Sequence, residues 1–164
     1  MFTAKNEIAN FSYEDSVIRK IEQSKGQLTL VVEALLVLPA NSQNTNYTKS
    51  YADLVTVTFS EAVIKKGVKE GYKRYDANDK LMEEVPDTLL SAEETQDVLK
   101  KAVDQYLYDI KEAEEEQGRK EVVLGIEMTT DDLTGIDADS YQVLVECRDV
   151  TFSWERYLNR AESR

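Results

Sequence analysis

Apolar and polar residues alternate along much of this chain, and a period of two residues favours β-strands over other regular structure. The alternation is regular in a stretch made up of Val122, Leu124, Ile126 and Met128. In two other stretches, 55–64 and 143–152, it shifts by one residue at an acidic position. Because side chains alternate strictly across a strand, such a shift predicts a bulge or kink, the first near Ser60 and Glu61. We interpret the likeness of these stretches as two bulged strands that solve the same packing problem, rather than as an internal duplication.

A β-hairpin is predicted near the start of the chain. Residues 17–22 and 27–38 are rich in β-forming side chains, and the polar residues 24–26 between them supply a turn. Apolar residues occupy both faces of the second run, which indicates a central strand covered on both sides. Pro39 ends this run, and the amide-rich residues 40–50 are expected to form an exposed loop.

One long helix is predicted after residue 90. Ser91 and Glu94 form a capping-box pattern, and Gly118 stands where a left-handed C-terminal cap is expected. Between them, apolar residues recur every three or four positions: Leu99, Ala102, Val103, Tyr106, Ile110 and Ala113. This spacing predicts an amphipathic helix over 92–117 with about six turns. Residues 155–164 are expected to form a short helix or a tail.

These elements predict an α+β fold in a single domain that comprises residues 1–164. Its centre would be a twisted, mostly antiparallel sheet of about six strands, with the one long amphipathic helix packed against it. A chain of 164 residues fits one hydrophobic core. No linker or low-complexity segment divides it.

The ionisable residues disfavour several functional classes. The chain has no histidine, one cysteine, and 32 acidic against 20 basic residues, for a formal net charge of −12. Without histidine there is no Ser-His or Cys-His nucleophile pair and no imidazole metal ligand. The negative charge disfavours binding to nucleic acid or to an anionic membrane, which select clustered cations. We therefore predict a non-enzymatic interaction protein without a cofactor, which binds a basic protein partner.

The single cysteine and the N-terminus favour a cytoplasmic location. Cys147 has no disulfide partner within the chain, which suits a reducing compartment. Residues 1–10 lack the apolar region of a signal peptide. Cys147 follows the inward-facing Val145 in the alternation, which favours a buried, inert thiol. Trp154 is interpreted as a core aromatic residue.

The candidate partner-binding residues are carboxylates at the end of the predicted helix and in the loop beyond residue 128: Glu112, Glu114, Glu115, Glu116, Asp131 and Asp132. Negative charge at a helix C-terminus opposes the macrodipole, so the helix end is open to two interpretations, a partner-facing patch or an ordinary solvated end. Arg156, Arg160 and Arg164 would share one face of a terminal helix. They are expected to dock on the protein's own acidic surface or on a partner's carboxylates.

The acidic loop 129–139 offers oxygen ligands of the kind that Ca²⁺ needs. Its carboxylates belong to Asp131, Asp132, Asp137 and Asp139. No EF-hand register fits, because placing Gly135 at the sixth position puts Thr130 at the first and Tyr141 at the twelfth. A solvated acidic loop is the first interpretation. A carboxylate-based divalent-metal-binding module or metal-dependent enzyme is the alternative.

The opening segment carries a family resemblance. It consists of Phe11-Ser12-Tyr13-Glu14-Asp15-Ser16-Val17-Ile18, then Ile21, and then Gly26-Gln27-Leu28-Thr29-Leu30. It resembles the start of small uncharacterised bacterial proteins, in which an aromatic residue, an Asp-Ser or Asp-Ala pair and an alternating apolar strand begin a β-rich domain. Some such proteins resemble immunity or accessory proteins encoded beside toxins. The resemblance implies a small cytoplasmic bacterial domain, with neutralisation of a basic toxin as one form of the predicted binding.

Overall fold

Strands dominate the computed structural model, which describes residues 1–130 and 138–160. Strands make up 60% and helices 9% of it. In chain order the strands are β1 (Phe2–Lys5), β2 (Phe11–Ser12), β3 (Val17–Ser24), β4 (Gln27–Glu33), β5 (Leu36–Val37), β6 (Ser50–Ala52), β7 (Val55–Ser60), β8 (Val63–Lys69), β9 (Tyr72–Tyr75), β10 (Leu81–Val85), β11 (Thr88–Leu90), β12 (Tyr106–Glu116), β13 (Arg119–Thr129), β14 (Ala138–Cys147), β15 (Val150–Trp154) and β16 (Tyr157–Arg160), and the α-helix is α1 (Ala92–Lys101). The predicted α+β class is therefore wrong, since the fold is mostly β, with one short helix and ten strands in its main sheet instead of about six.

The ten-stranded sheet has the order β1-β15-β7-β4-β3-β12-β13-β14-β8-β11, and its pairings are antiparallel. Its two halves meet where β3 contacts β12 through the pair Val17–Tyr106. They are also linked along the chain, because β7 leads directly into β8 and β14 into β15. Buried residues of both halves belong to one hydrophobic cluster, so the sheet folds around a shared core.

The bends predicted from the shifts of alternation are present, and they lie beside each other. β7 pairs with β15, with Phe59 opposite Val150, and β8 pairs with β14 beyond the bend. At the bend Glu61 has a φ of 48°, and the N–H of Ser60 donates to the carbonyl of Asp149 at 3.0 Å. The two similar stretches are therefore partner strands that bend at the same place.

The β3–β4 hairpin matches the prediction, with Gly26 at a φ of 67° in its turn. The predicted strand over 27–38 is interrupted, because β4 ends at Glu33 and Ala34 takes a φ of 60° before the chain continues as β5. β4 lies between β3 and β7, in agreement with its predicted central position.

Helix α1 begins as predicted but is much shorter. The side chain of Ser91 accepts a hydrogen bond from the N–H of Glu94 at 3.1 Å, and the N–H of Ser91 donates to the Glu94 carboxylate at 3.0 Å. The helix ends at Lys101 after 10 residues instead of continuing to residue 117. It packs against β8 and β11. Among the residues that the structure describes, no helix has the length and hydropathy to cross a membrane.

The second half of the predicted helix is strand β12. A bulge between Leu107 and Asp109 leaves the buried side chains of Leu107 and Ile110 three residues apart. A bulge adds one residue to the two-residue period of a strand. The buried side chains of this strand are therefore three residues apart, as they can also be in a helix. Gly118, the predicted helix cap, lies instead in the turn of the β12–β13 hairpin with a φ of 75°.

Two smaller sheets complete the fold. One has the order β16-β6-β5-β2, and the other is the β9–β10 hairpin. In the turn of that hairpin, the carboxylate of Asp76 accepts hydrogen bonds from the N–H groups of Asn78 at 2.8 Å and Lys80 at 2.9 Å. Exposed apolar side chains concentrate on this hairpin, with Tyr75 57% and Met82 69% exposed.

The predicted terminal helix is wrong where the structure describes it, because residues 157–160 form β16. Arg156 and Arg160 therefore do not share a helix face, and Arg164 lies outside the described residues. Arg156 instead pairs with Asp53, with 2.9 Å between Nε and Oδ2. For Arg156 alone, this contact agrees with the first of the two predicted roles, docking on the protein's own acidic surface.

Candidate functional site: an acidic hairpin end and the cleft beside it

The acidic residues predicted to end a helix lie at the end of the long β12–β13 hairpin. The two strands pair from Tyr106 opposite Glu127 to Glu116 opposite Arg119. The last buried side chain on β12 is Ile110, and the residues after it are exposed. Strand β12 therefore extends past the core beyond Ile110, where charged side chains keep it solvated, while its partner β13 still places Val122 in the core. We use the name acidic hairpin end for Glu112, Glu114, Glu115, Glu116 and Glu121.

Carboxylates line up across one face of this hairpin. Glu114 lies directly opposite Glu121, which in turn lies opposite Glu146 of β14. Glu146 is compensated by Arg119 at 2.6 Å and by Lys65 at 3.4 Å. The hydrogen bond from Arg119 is the main reason that the pKa of Glu146 is lowered. Like charges directly opposite each other destabilise a sheet, and among the described residues no cation forms an ion pair with Glu114 or Glu121.

Three members of the acidic hairpin end, Glu114, Glu116 and Glu121, have no ion-pair partner in residues 1–130 and 138–160. They line a depression of about 280 Å³ together with Arg119 and Glu146. Because Arg119 is engaged by Glu146, the depression keeps an excess of negative charge. Folding thus leaves a concave acidic surface whose charge is available to a cationic group.

The other two carboxylates face the opposite side of the hairpin and are compensated. Lys120 lies 3.4 Å from Glu112 and 3.1 Å from Glu115, and its side chain is 12% exposed. Burial opposes the charged ammonium, but the hydrogen bond to Glu115 and the charge of Glu112 outweigh it and raise the pKa of Lys120. The hairpin therefore has one neutralised face and one acidic face.

A cleft of about 610 Å³ lies along the side of β12 that faces away from β13. Residues 108–112 form one wall, and residues from 8 to 14 form the other. Its charged groups are the carboxylates of Glu14, Asp109 and Glu112, with Lys111 among them. Tyr13 is buried there and donates its hydroxyl to the carbonyl of Ile8 at 2.9 Å. Burial, and next the charge of Asp109, raise the pKa of Tyr13 well above its ordinary value, so its phenol stays neutral.

Tyr108 lines a second depression, of about 410 Å³, together with Gly125 and Gln142. Its ring covers Gly125, where a Cβ would lie 2.5 Å from the ring. Its hydroxyl donates to Glu70 at 3.0 Å, and the side-chain amide of Gln142 donates to the same carboxylate at 2.6 Å. Burial, and next the hydrogen bond to Glu70, raise the pKa of Tyr108 to about 12. These groups satisfy one another, which indicates a structural role.

Cys147 is buried with 0% exposure, as predicted. Burial is the largest influence on its thiol and raises the pKa to about 11. At neutral pH the group is therefore a protonated thiol, which is a poor nucleophile. Trp154 is also a core residue, with 2% exposure.

Only the ends of the predicted metal-binding loop 129–139 belong to the described residues. Asp131, Asp132 and Asp137 lie outside the described residues, so their assignment to a partner surface or to a metal site stays a prediction. Asp139 lies on β14 and forms an ion pair with Lys69 at 3.6 Å. Within the described ranges, no group of three or more acidic or cysteine side chains is arranged to hold a metal ion.

Sequence reasoning missed Glu121, Asp109 and Glu14 as parts of this surface. The glycine of the pair Gln117 and Gly118 was a weak signal, because a two-residue type I′ hairpin turn needs positive φ at both positions, here 52° and 75°. That turn would have placed Glu121 opposite Glu114. Glu14 gave no local signal, because only the tertiary fold brings it to β12.

None of the protein-family models compared with the chain matches it, and no curated protein or solved structure matches it either. The resemblance of the opening segment to immunity-like proteins therefore stays a prediction. The function has to be argued from the geometry of the chain itself.

Proposed function

We propose that this protein is a non-enzymatic, cytoplasmic binding module whose acidic hairpin end binds a basic segment of another protein. The observation that carries the proposal is the uncompensated charge of Glu114, Glu116 and Glu121. Like charges opposite each other cost stability in the free protein, and a cationic partner would remove that cost on binding. The overall charge of −12 would also accelerate the encounter with a basic partner.

The state of the other reactive side chains supports a binding function over catalysis. The pKa values of Tyr13, Tyr108 and Cys147 are all raised, so each of these groups keeps its proton at neutral pH. A general base or nucleophile needs the opposite shift. The resemblance of the opening segment favours an immunity-like version of the proposal, in which the partner is a basic toxin.

A charge-neutralised variant tests the proposal. The triple variant Glu114→Gln, Glu116→Gln and Glu121→Gln is compared with the parent for binding to a lysine-rich peptide, measured by calorimetry at low and high salt. Three lost contacts of about 0.5 kcal/mol each weaken the affinity by about tenfold. Salt should weaken binding of the parent more than binding of the variant.

The matched control removes the same amount of charge elsewhere. Asp79, Glu93 and Glu155 are exposed and form no ion pair among the described residues. The variant Asp79→Asn, Glu93→Gln and Glu155→Gln is expected to bind like the parent. If both triple variants lose affinity equally, net charge and not the acidic hairpin end binds the peptide. Binding that is unchanged in molar salt would also contradict the proposal.

A further inference from the structure

Along most of its length, the main-chain edge of β12 that faces away from β13 has no strand partner among the described residues. On this side the strand pairs with β3 only at Tyr106, and the N–H of Leu107 makes the last hydrogen bond, to the carbonyl of Ser16 at 3.0 Å. Beyond Leu107 the described residues provide no strand partner on this side, while β13 pairs with β12 on the other as far as Glu116. An open strand edge presents unpaired N–H and C=O groups that can accept another strand.

The open edge lines the cleft of about 610 Å³. Residues 108–112 give the cleft an extended wall, and residues 8–14 form a wall on the far side. An incoming chain that pairs with β12 would therefore lie between two walls instead of on an open surface. The volume falls in the range of about 300–1,000 Å³ that is typical of binding clefts.

We propose that this cleft binds one extended, basic segment of a partner protein, which adds to the sheet as a strand antiparallel to β12. The inference rests on the proposed function and specifies how the partner is bound. Charge complementarity identifies the occupant. Asp109 in the cleft, and Glu114 and Glu116 farther along the same strand, form no ion pair among the described residues, whereas Glu14 and Glu112 are already in ion pairs. A basic segment that extends from the cleft along β12 would therefore meet uncompensated carboxylates.

Cross-strand pairing gives the segment a sequence preference. Side chains directly opposite each other on neighbouring strands interact, and opposite charges stabilise such pairs. A basic residue is expected opposite Asp109, an apolar residue opposite the core residue Ile110, and an uncharged residue opposite Lys111. A second basic residue is expected opposite Glu112, where it would share that carboxylate with Lys120. In the antiparallel direction this pattern reads Lys-Thr-Val-Lys.

Backbone methylation of a synthetic peptide separates strand addition from simple charge attraction. A capped peptide with Lys-Thr-Val-Lys at its centre is compared with two versions that carry N-methyl groups at alternate residues. Methylation keeps every charge but removes N–H donors on one edge of the peptide. The version methylated on the edge that faces β12 is expected to bind at least about tenfold more weakly than the parent peptide, because several hydrogen bonds are lost together. The other version should retain affinity.

Hydrogen exchange locates the bound peptide. Backbone amides of residues 108–112 should gain protection when the parent peptide binds, whereas amides of residues 123–126, which are already paired on both sides, should not change. Equal binding by both methylated versions, or protection that avoids residues 108–112, would overturn strand addition. Because attraction to the acidic hairpin end does not depend on peptide N–H groups, that result would leave the proposed function standing. The proposed function fails separately if the Glu114, Glu116 and Glu121 variant binds like its control.

Discussion

The contact between Gly67 of β8 and Thr95 of α1 determines how closely the helix approaches the sheet. A Cβ at residue 67 would lie 2.3 Å from Oγ1 and 2.8 Å from Cγ2 of Thr95. Thr95 is 3% exposed, and its hydroxyl donates to the carbonyl of Ser91 at 2.8 Å. Because a β-branched side chain is also stiff at χ1, it has little freedom to move away. Gly67→Ala is therefore expected to displace the helix and to lower the free energy of unfolding by about 2 kcal/mol, as for an overpacked core.

A double-mutant cycle measures this contact. Urea and thermal denaturation are compared for the parent, Gly67→Ala, Thr95→Ala and the double variant. Gly67→Ala should lower Tm by about 4–8 °C. Thr95→Ala alone should cost about 1 kcal/mol for the lost hydrogen bond and methyl contacts. Since this change also frees the space, the double variant should cost little more than Thr95→Ala, which gives a coupling energy of about 2 kcal/mol. If the losses in stability of the two single variants add in the double variant, α1 does not approach Gly67 closely.

Three other perturbations have defined outcomes. Ile110→Asp buries an unpaired charge at a position that is 3% exposed and should cost several kcal/mol, so an unchanged urea midpoint would contradict the placement of β12. Burial raises the pKa of Tyr108 from 10.0 to about 12. Its contribution to stability is therefore complete below pH 10 and declines as the pH rises through 12. The pH profile of stability for Tyr108→Phe should lack this decline. Calorimetry with Ca²⁺, Mg²⁺ and Mn²⁺ tests the metal alternative: a solvated acidic loop should give no heat, whereas heat that Asp139→Asn abolishes would favour a metal ion that displaces Lys69 from Asp139.

The features that the sequence predicted correctly depend on neighbouring residues. The alternation of apolar and polar residues predicts β13 and β14, because a few consecutive residues show which side chains lie on each face of the strand. The shift of parity near Glu61 predicts a bend, since a bulge changes the alternation at the residue where it occurs. The capping box at Ser91 marks the start of α1 because its two hydrogen bonds are local.

The features that the sequence did not predict depend on distant contacts. The spacing of Tyr106 and Ile110 suits a helix, but Tyr106 is exposed, and the buried residues are Leu107 and Ile110 of a bulged strand. Only pairing with β13 distinguishes the two structures. The short edge strands β1 and β11 have too few residues for a recognisable period. The cleft combines residues 8–14 with residues 108–112, which are brought together by the folded sheet. The sequence therefore identifies residues 112 and 114–116 as candidates, but it shows neither their geometry nor the unpaired main-chain edge beside them.

The pair Glu114–Glu121 distinguishes an acidic surface that serves binding from one that serves only solubility. Solubility requires charge but gives no reason to place two carboxylates opposite each other, at a cost of about 0.2–1 kcal/mol. Glu121→Lys turns this pair into one of opposite charge. It is expected to raise Tm by about 1–4 °C while weakening the binding of a lysine-rich peptide.

Glu127→Lys is the matched control, because Glu127 lies on the same strand but opposite Tyr106 and Ser140 instead of a carboxylate. Glu127→Lys changes the net charge by the same amount as Glu121→Lys. It should raise Tm less and weaken peptide binding less. If Glu121→Lys gains no more stability than this control, Glu114 and Glu121 do not repel each other in the free protein. The strain that a basic partner is proposed to relieve would then be absent, and solubility alone would account for the acidic hairpin end. If it gains stability and loses affinity together, the chain retains an unfavourable pair of charges that its binding requires.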